Sequence, residues 1–201
     1  MAVRGSGKTT RRTVLQAAAD VVGELGVSKL TLDAVAERAG LSKGGILHHF
    51  ATKDSLIAAM IEDLIAAFEI DLARHLAGEQ GPGSFARAFV RACLDPDGTV
   101  TWSLRISAGI IAAVATNVQL LAPLRRAYDG WRRRLGEDGI DPVVAEIVRY
   151  AADGLWFSTV FDLAPAATSL RRRIFERLLD LTSGPGSLLP LTPAESGVLA
   201  G

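Results

Sequence analysis

The sequence predicts an all-α protein, in which an N-terminal three-helix unit is joined by one long helix to a C-terminal helical bundle. Three observations carry this. Apolar residues recur at three- and four-residue intervals from Val14 to Leu181, and no run alternates as a strand does. The runs are punctuated by glycine and proline, as GEQGPG at 78–83, DPDG at 95–98 and GIDP at 139–142. Apolar residues make up 49% of a 201-residue chain, enough for a packed core.

Residues 1–9 are Gly/Ser-rich and basic (Arg4, Lys8), and read as a flexible arm. The first helix is expected from about Thr10 to Gly26, burying Val14, Ala18, Val21, Val22 and Leu25. Thr31 can cap a second helix, with Asp33 in its positive first turn and Val35, Ala36 and Ala39 as its apolar face. Gly40 suits the left-handed stop, Leu41 plugs the turn, and Ser42 caps a helix of about two turns. Ile46 and Phe50, four apart, point to the core, which leaves Lys43, Gly44, Leu47 and His48 outside. Two helices joined by such a turn form a helix-turn-helix, whose second helix enters the DNA major groove.

Residues 10–55 are therefore read as the DNA-binding unit. Arg11 and Arg12 at its start are placed for phosphate, and Lys53, just behind the cap residue Thr52, is too. The capping residues Thr31 and Ser42 belong to the same surface, as do Gly44 and Gly45, whose bare backbone permits close approach to the groove. His48 and His49 point about 100° apart on a helix, and no clustered ligands accompany them, so a metal site is not expected. Net charge is zero overall, but residues 1–55 hold eight Lys/Arg against five Asp/Glu, and the rest fourteen against seventeen. A basic end on a slightly acidic body suits docking on phosphate.

The long fourth helix is expected from Lys53 to about Ala77, with Leu56, Ile57, Met60, Ile61, Leu64, Phe68 and Leu72 as its stripe. A short helix follows from Ser84 to Leu94, with Phe85, Phe89 and Cys93 on one side. Thr101 to Asn117 is nearly all apolar and reads as the central, fully buried helix. An arginine-rich helix spans Leu120 to Gly136, and two final helices run from Asp141 to Phe161 and from Ala166 to Leu181. Residues 56–183 make the body and 184–201 a loose tail. Cys93 is the single cysteine, which excludes an intrachain disulfide. The N-terminus lacks a hydrophobic leader, and the most apolar stretch, Ile106 to Leu124, carries Asn117, Gln119 and Pro123, so a cytoplasmic protein without a membrane span is expected.

The helix Val14 to Leu25, followed by LTLDAVAERAGLSKGGILHHFATKDSL, resembles the TetR family of bacterial transcriptional regulators over roughly residues 10–58. The capping Thr, the Ala-Gly turn, the Ser-x-Gly, the His-Phe pair and the Lys-Asp-x-Leu fall at the family's spacing. The resemblance implies phosphate contacts at Arg11, Arg12 and His49. The sequence departs at Leu47 and His48, where family members usually carry a Tyr. Leu47 can instead meet a thymine methyl, and His48 a phosphate or a guanine edge.

For the body, the resemblance implies a small-molecule pocket and a dimer interface. Candidate pocket walls are Met60, Leu64, Phe68, Phe89, Trp102, Ile106, Trp131 and Trp156. Asp153 is an acid on an otherwise apolar face, which if buried needs a partner. Dimerisation is expected through Leu170, Ile174, Phe175, Leu178, Leu179 and Leu181, against a face of Val144, Val148, Ala151, Leu155 and Thr159 with Gly154. The body shows no nucleophile motif, Gly-rich phosphate loop or metal spacing, so neither an enzyme nor a cofactor is expected. The implied function is a homodimeric, ligand-responsive regulator, most often a repressor, which binds a palindromic double-stranded operator and is released by a small apolar molecule. The alternative is a helical ligand-binding protein without DNA-binding activity.

Overall fold

A computed structural model describes residues 6–94 and 104–183. Among these residues the chain is helical with no strand: α1 (Ser6–Leu25), α2 (Leu32–Ala39), α3 (Lys43–His49), α4 (Lys53–Leu76), α5 (Ser84–Cys93), α6 (Leu104–Thr116), α7 (Ala122–Gly136), α8 (Pro142–Val160) and α9 (Thr168–Leu181). No helix among the described residues is long and apolar enough to cross a membrane. Helix α1 begins at Ser6, so positions 6–9 of the expected flexible arm are helical. A helix already anchored by Val14, Ala18, Val21 and Val22 extends at little cost. Leu25, expected in that buried face, is exposed (59%). It sits on the last residue of the helix, and after it the 3-10 turn Val27–Lys29 brings Leu30 into the core in its place.

The apolar residues form two cores that share one helix. The first joins α1, α2 and α3 to the front of α4 (Leu56, Ile57, Ala59, Met60, Ile61), and α6 adds Ala112 and Ala113 to it. The second joins the rear of α4 (Leu64, Phe68, Leu72) to α5, α7, α8 and α9. Helix α4 is therefore continuous across the expected boundary at residues 55 and 56. Its start is fixed by a capping box: Thr52 Oγ1 accepts from the Ser55 amide at 3.0 Å, and Ser55 Oγ accepts from the Thr52 amide at 3.1 Å.

The central helix is α5 and not α6. Phe85, Ala86, Ala88, Phe89, Val90, Ala92 and Cys93 are all buried, because its small alanines let neighbours close in on several sides. Helix α6, though rich in apolar residues, leaves Val114 61% exposed and buries Ser107, Gly109, Ala112 and Ala113. It crosses α4 almost backbone to backbone: a Cβ on Gly109 would lie 2.9 Å from Met60 Cβ and 3.2 Å from the Ile61 nitrogen.

GEQGPG does more than end α4. Gly83 has φ +77°, and a Cβ there would lie 1.9 Å from the Thr182 carbonyl oxygen, so only glycine fits. Having no side chain, it cannot cap α5. Asp138 does so from the α7–α8 loop, its carboxylate accepting from the Phe85 and Ala86 amides at 2.9 and 2.8 Å. Arg87 then donates to the carbonyls of Gln80, Pro82 and Thr182 at 2.8, 3.0 and 3.1 Å, and to the Glu79 carboxylate. One guanidinium thus ties the α4–α5 loop to the end of α9.

Candidate nucleic-acid interface and internal cavity

Helices α2 and α3 are held by the local chemistry their sequence carries. Thr31 Oγ1 accepts from the Ala34 amide at 3.1 Å, and Ser42 Oγ from the Gly45 amide at 3.1 Å. Gly40 is left-handed (φ 67°, ψ 31°), and the Leu41 amide closes on the Ala36 carbonyl at 2.9 Å. Ile46 and Phe50 are buried, which turns Lys43, Gly44, Leu47 and His48 to solvent on one face of α3. Gly45 and His49 are half-buried at its edges. A Cβ on Gly44 would meet nothing within 4 Å, so the fold does not require glycine there.

The surrounding cations are partly engaged. Lys43 Nζ lies 3.1 Å from Asp33 Oδ1 across the turn, an exposed pair that the sequence reading did not foresee. Arg11 sits 3.9 Å from Glu62 and over the Phe50 ring at 5.5 Å, while Arg12 is exposed. Lys53 opens α4 beside the capping box, half-buried. These residues share one end of the molecule, and exposed pairs of this kind exchange readily for phosphate because they contribute little in water.

The body holds a partly open cavity of about 60 Å³. Leu64, Ile65 and Phe68 line it from α4, and Phe89 and Cys93 from α5. Ile110 lines it from α6, Leu124, Tyr128 and Trp131 from α7, and Asp153 and Trp156 from α8. Of the expected wall residues, Leu64, Phe68, Phe89, Trp131, Asp153 and Trp156 are there. Met60 is not: it is buried in the first core, under Gly109, because that crossing draws it away from the body. Trp102 and the side chain of Ile106 lie outside the described residues. Ile65, Cys93, Ile110, Leu124 and Tyr128 were not anticipated as walls. Tyr128 had a signal, being three residues before Trp131 on the same helical face.

The aromatic walls pack on one another. Phe68 and Trp131 centroids are 4.6 Å apart, Tyr128 and Trp131 5.0 Å, and Phe68 and Phe89 5.4 Å. The Trp131 indole donates its N–H to Glu69. Asp153 is the acid of this cavity: Oδ1 accepts from Tyr128 Oη at 3.1 Å, and Oδ2 from Arg149 Nη1 at 3.0 Å. Burial pushes its carboxyl above the usual range, with the Tyr128 and Arg149 hydrogen bonds pulling the other way. Burial likewise raises the Tyr128 phenol and the Cys93 thiol, the charge of Asp153 adding to both.

The outer face of α8 is apolar, whereas α9 turns Arg172, Arg173, Glu176 and Asp180 outward along with Leu170. Val143, Ile147, Tyr150 and Phe157 are 50–66% exposed on α8, and Leu163 and Leu170 are exposed beside them. This differs from the expected dimer stripe. Val148, Phe175 and Leu178 are buried within the chain's own second core, because α5 takes up that side of both helices. The exposed repeat at 143, 147, 150 and 157 lies about 100° round the helix from 144, 148 and 151, and Gly154, where a Cβ would meet nothing, and Leu170 are members of the expected set that are exposed.

Residues 14–60 match the sequence profile described as bacterial regulatory proteins, tetR family, and residues 83–183 that described as tetracyclin repressor-like, C-terminal domain. The HTH-type transcriptional regulator BetI of Paraburkholderia phytofirmans is 26% identical over 194 residues, covering 88% of this chain and 95% of that protein. BetI of Stenotrophomonas maltophilia is 28% identical over 130 residues, covering 64% of this chain and 66% of that protein. The same fold is seen in a transcriptional regulator from Rhodococcus sp. Rha1, with TM-score 0.66, 22% identity, and 86% and 95% of the two chains covered. It recurs in the multidrug binding protein EbrR complexed with ethidium, with TM-score 0.60, 23% identity, and 84% and 98% covered.

Proposed function

The chain belongs to the TetR family of bacterial transcriptional regulators, and on that premise we propose that it is a repressor that grips a palindromic operator as a homodimer and lets go when a small molecule with an apolar body enters the cavity. It is a ligand-responsive regulator and not an enzyme. The observation that carries the DNA reading is the exposed face of α3 (Lys43, Gly44, Leu47, His48), next to Lys53 at a capped helix start. Main-chain amides and a lysine at such a start take a phosphate, and that contact sets how deeply α3 sits. Arg11, Arg12 and His49 are assigned further backbone contacts, and Leu47 and His48 the base edges.

Two copies joined through the exposed apolar face of α8 would present two reading helices, spaced for half-sites about one DNA turn apart. Supporting the effector role, α6 carries Ile110 in the cavity wall and, within the next turn, Ala112 and Ala113 in the DNA-binding core. A ligand that widens the cavity shifts α6 and so acts on the reading unit, provided it prefers the state that cannot bind DNA.

The test is salt titration of operator binding. Lys53→Ala should weaken binding and flatten the slope of log affinity against log salt by about one unit, leaving sequence preference unchanged. An unchanged slope removes Lys53 from the interface.

A further inference from the structure

Lys43 is the single Lys or Arg of α3, and its charge is already held. Its Nζ lies 3.1 Å from Asp33 Oδ1 and donates to Oδ2 at 3.3 Å, so both carboxylate oxygens face the ammonium. Asp33 stands in the first turn of α2, where the helix dipole favours an acid whether or not α3 answers it. The two side chains are 69% and 72% exposed, beside the face that α3 turns outward. A carboxylate at that place meets repulsion from phosphate whenever the protein sits on DNA. Helix α3 itself carries no acid, so Asp33 is the anion bonded to the reading helix.

Alone in water the pair contributes little and opens readily. Beside DNA, opening it has a further cost, because Asp33 stays behind among the phosphates. The outcome then depends on what kind of acceptor Lys43 is offered. An ammonium has three N–H donors, and Asp33 occupies at most two of them. The remaining donor can meet guanine O6 or N7, which are uncharged, with the pair left closed. A phosphate sharing the same ammonium would bring a second negative charge against Asp33. Phosphate contacts carry no sequence information, whereas base edges do.

The geometry points to Asp33 as a specificity-determining residue, which withholds Lys43 from the DNA backbone and leaves its charge to a base edge. Asp33 acts through Lys43 and touches no base, so it is a positioning residue. Its effect is to keep affinity low for DNA that lacks the operator sequence. This inference rests on the reading of α3 as the groove helix.

The test uses the full-length chain, Asp33→Asn, Lys43→Ala and the double variant. Two duplexes are titrated against salt: one of mixed sequence, and the consensus that the unaltered chain selects from a library with a randomised centre. Asp33→Asn should bind the mixed duplex about tenfold tighter at low salt, and its slope of log affinity against log salt should steepen by about one unit. The double variant should return to the original slope. Lys43→Ala alone should leave the slope on the mixed duplex unchanged and lose preference at one G·C position of the consensus. Asp33→Ala repeats the comparison without an amide that could itself contact DNA. Loss of the acid from the first turn of α2 lowers melting, but a purely structural role moves neither the salt slope nor the base preference.

An unchanged slope in Asp33→Asn and Asp33→Ala overturns the inference and leaves α3 as the reading helix. Tightening that persists in the double variant overturns it as well, since Asp33 would then repel phosphate without acting through Lys43. A unit fall in slope for Lys43→Ala in the otherwise unaltered chain overturns it too, by placing Lys43 on phosphate. If the unaltered chain binds the mixed duplex in no salt and selects no consensus, the DNA reading of α3 itself falls.

Discussion

Placing an arginine on either side of the last two helices should give opposite outcomes. Leu178 is 4% exposed and lies in the second core, whereas Ile147 on α8 is 53% exposed. Leu178→Arg forfeits about 2 kcal/mol of burial and leaves an unpaired charge inside, which costs several kcal/mol more. Against a total stability of roughly 5–15 kcal/mol, that sum unfolds the chain or melts it near ambient temperature. Ile147→Arg leaves the single chain intact, since its guanidinium reaches water. Across a two-fold interface the same substitution appears twice and buries charge against apolar surface. A penalty of about 4 kcal/mol weakens association roughly a thousandfold. Sedimentation velocity should find a folded monomer, with melting lowered only by the lost contribution of assembly. Operator affinity should fall, because each monomer reads a single half-site. A dimer of unchanged affinity in Ile147→Arg would refute the assignment of this face, and a stable Leu178→Arg would refute the placement of the core.

Two further outcomes follow from local geometry. At Gly44, Ala should raise stability by up to about 1 kcal/mol while Glu leaves melting near the original, and both should weaken operator binding, Glu far more because it faces phosphate; calorimetric melts beside gel shifts check the pair, and full affinity in Gly44→Glu would place the reading face elsewhere. Burial raises the Glu79 carboxyl, but the hydrogen bonds from Arg87 and Arg91 outweigh it and hold the group below its ordinary value, so its contribution is present at neutral pH and lost as pH falls through the folded value. Glu79→Gln should cost about 3 kcal/mol at pH 7, and the gap to the original should narrow as melts are taken into acid below the ordinary carboxylate range.

The reading unit was largely legible because its signals are local. Thr31, Gly40, Ser42 and Thr52 fix helix ends within a few residues of themselves, and Ile46 with Phe50 fixes which side of α3 is buried. The body was less legible because its faces are decided by neighbours distant in sequence. An apolar stripe states that a helix has a buried side. It cannot say which of two adjoining apolar stripes meets its own chain, and so Val148, Phe175 and Leu178, expected at an interface, lie in the chain's own core while Gly154 and Leu170 are exposed. The same ambiguity exchanged α5 and α6 as the central helix: α6 has more apolar residues, but α5 has the alanines that admit neighbours. Asp153 was recognised as an acid needing a partner, yet Arg149 stood four residues earlier on the same helix, a spacing that predicts such a pair. The borrowed cap from Asp138 and the bond from Arg87 to the Thr182 carbonyl had no local signature, since their partners lie 52 and 95 residues away along the chain.

The sharing of α4 between two cores has a practical consequence for building hybrids. The helix is continuous over 24 residues, about 36 Å, with no hinge at its middle. A graft of another relative's reading head that stopped at residue 55 would sever Leu56, Ile57, Met60 and Ile61 from the side chains they were selected against. A working splice has to be made after Ile61. It must also bring matching small residues to positions 109, 112 and 113, which the recipient contributes from the far side of the sequence. The proposed operator reading and the proposed response to a ligand thus meet at one packed seam, and a working hybrid has to be cut so as to leave that seam whole.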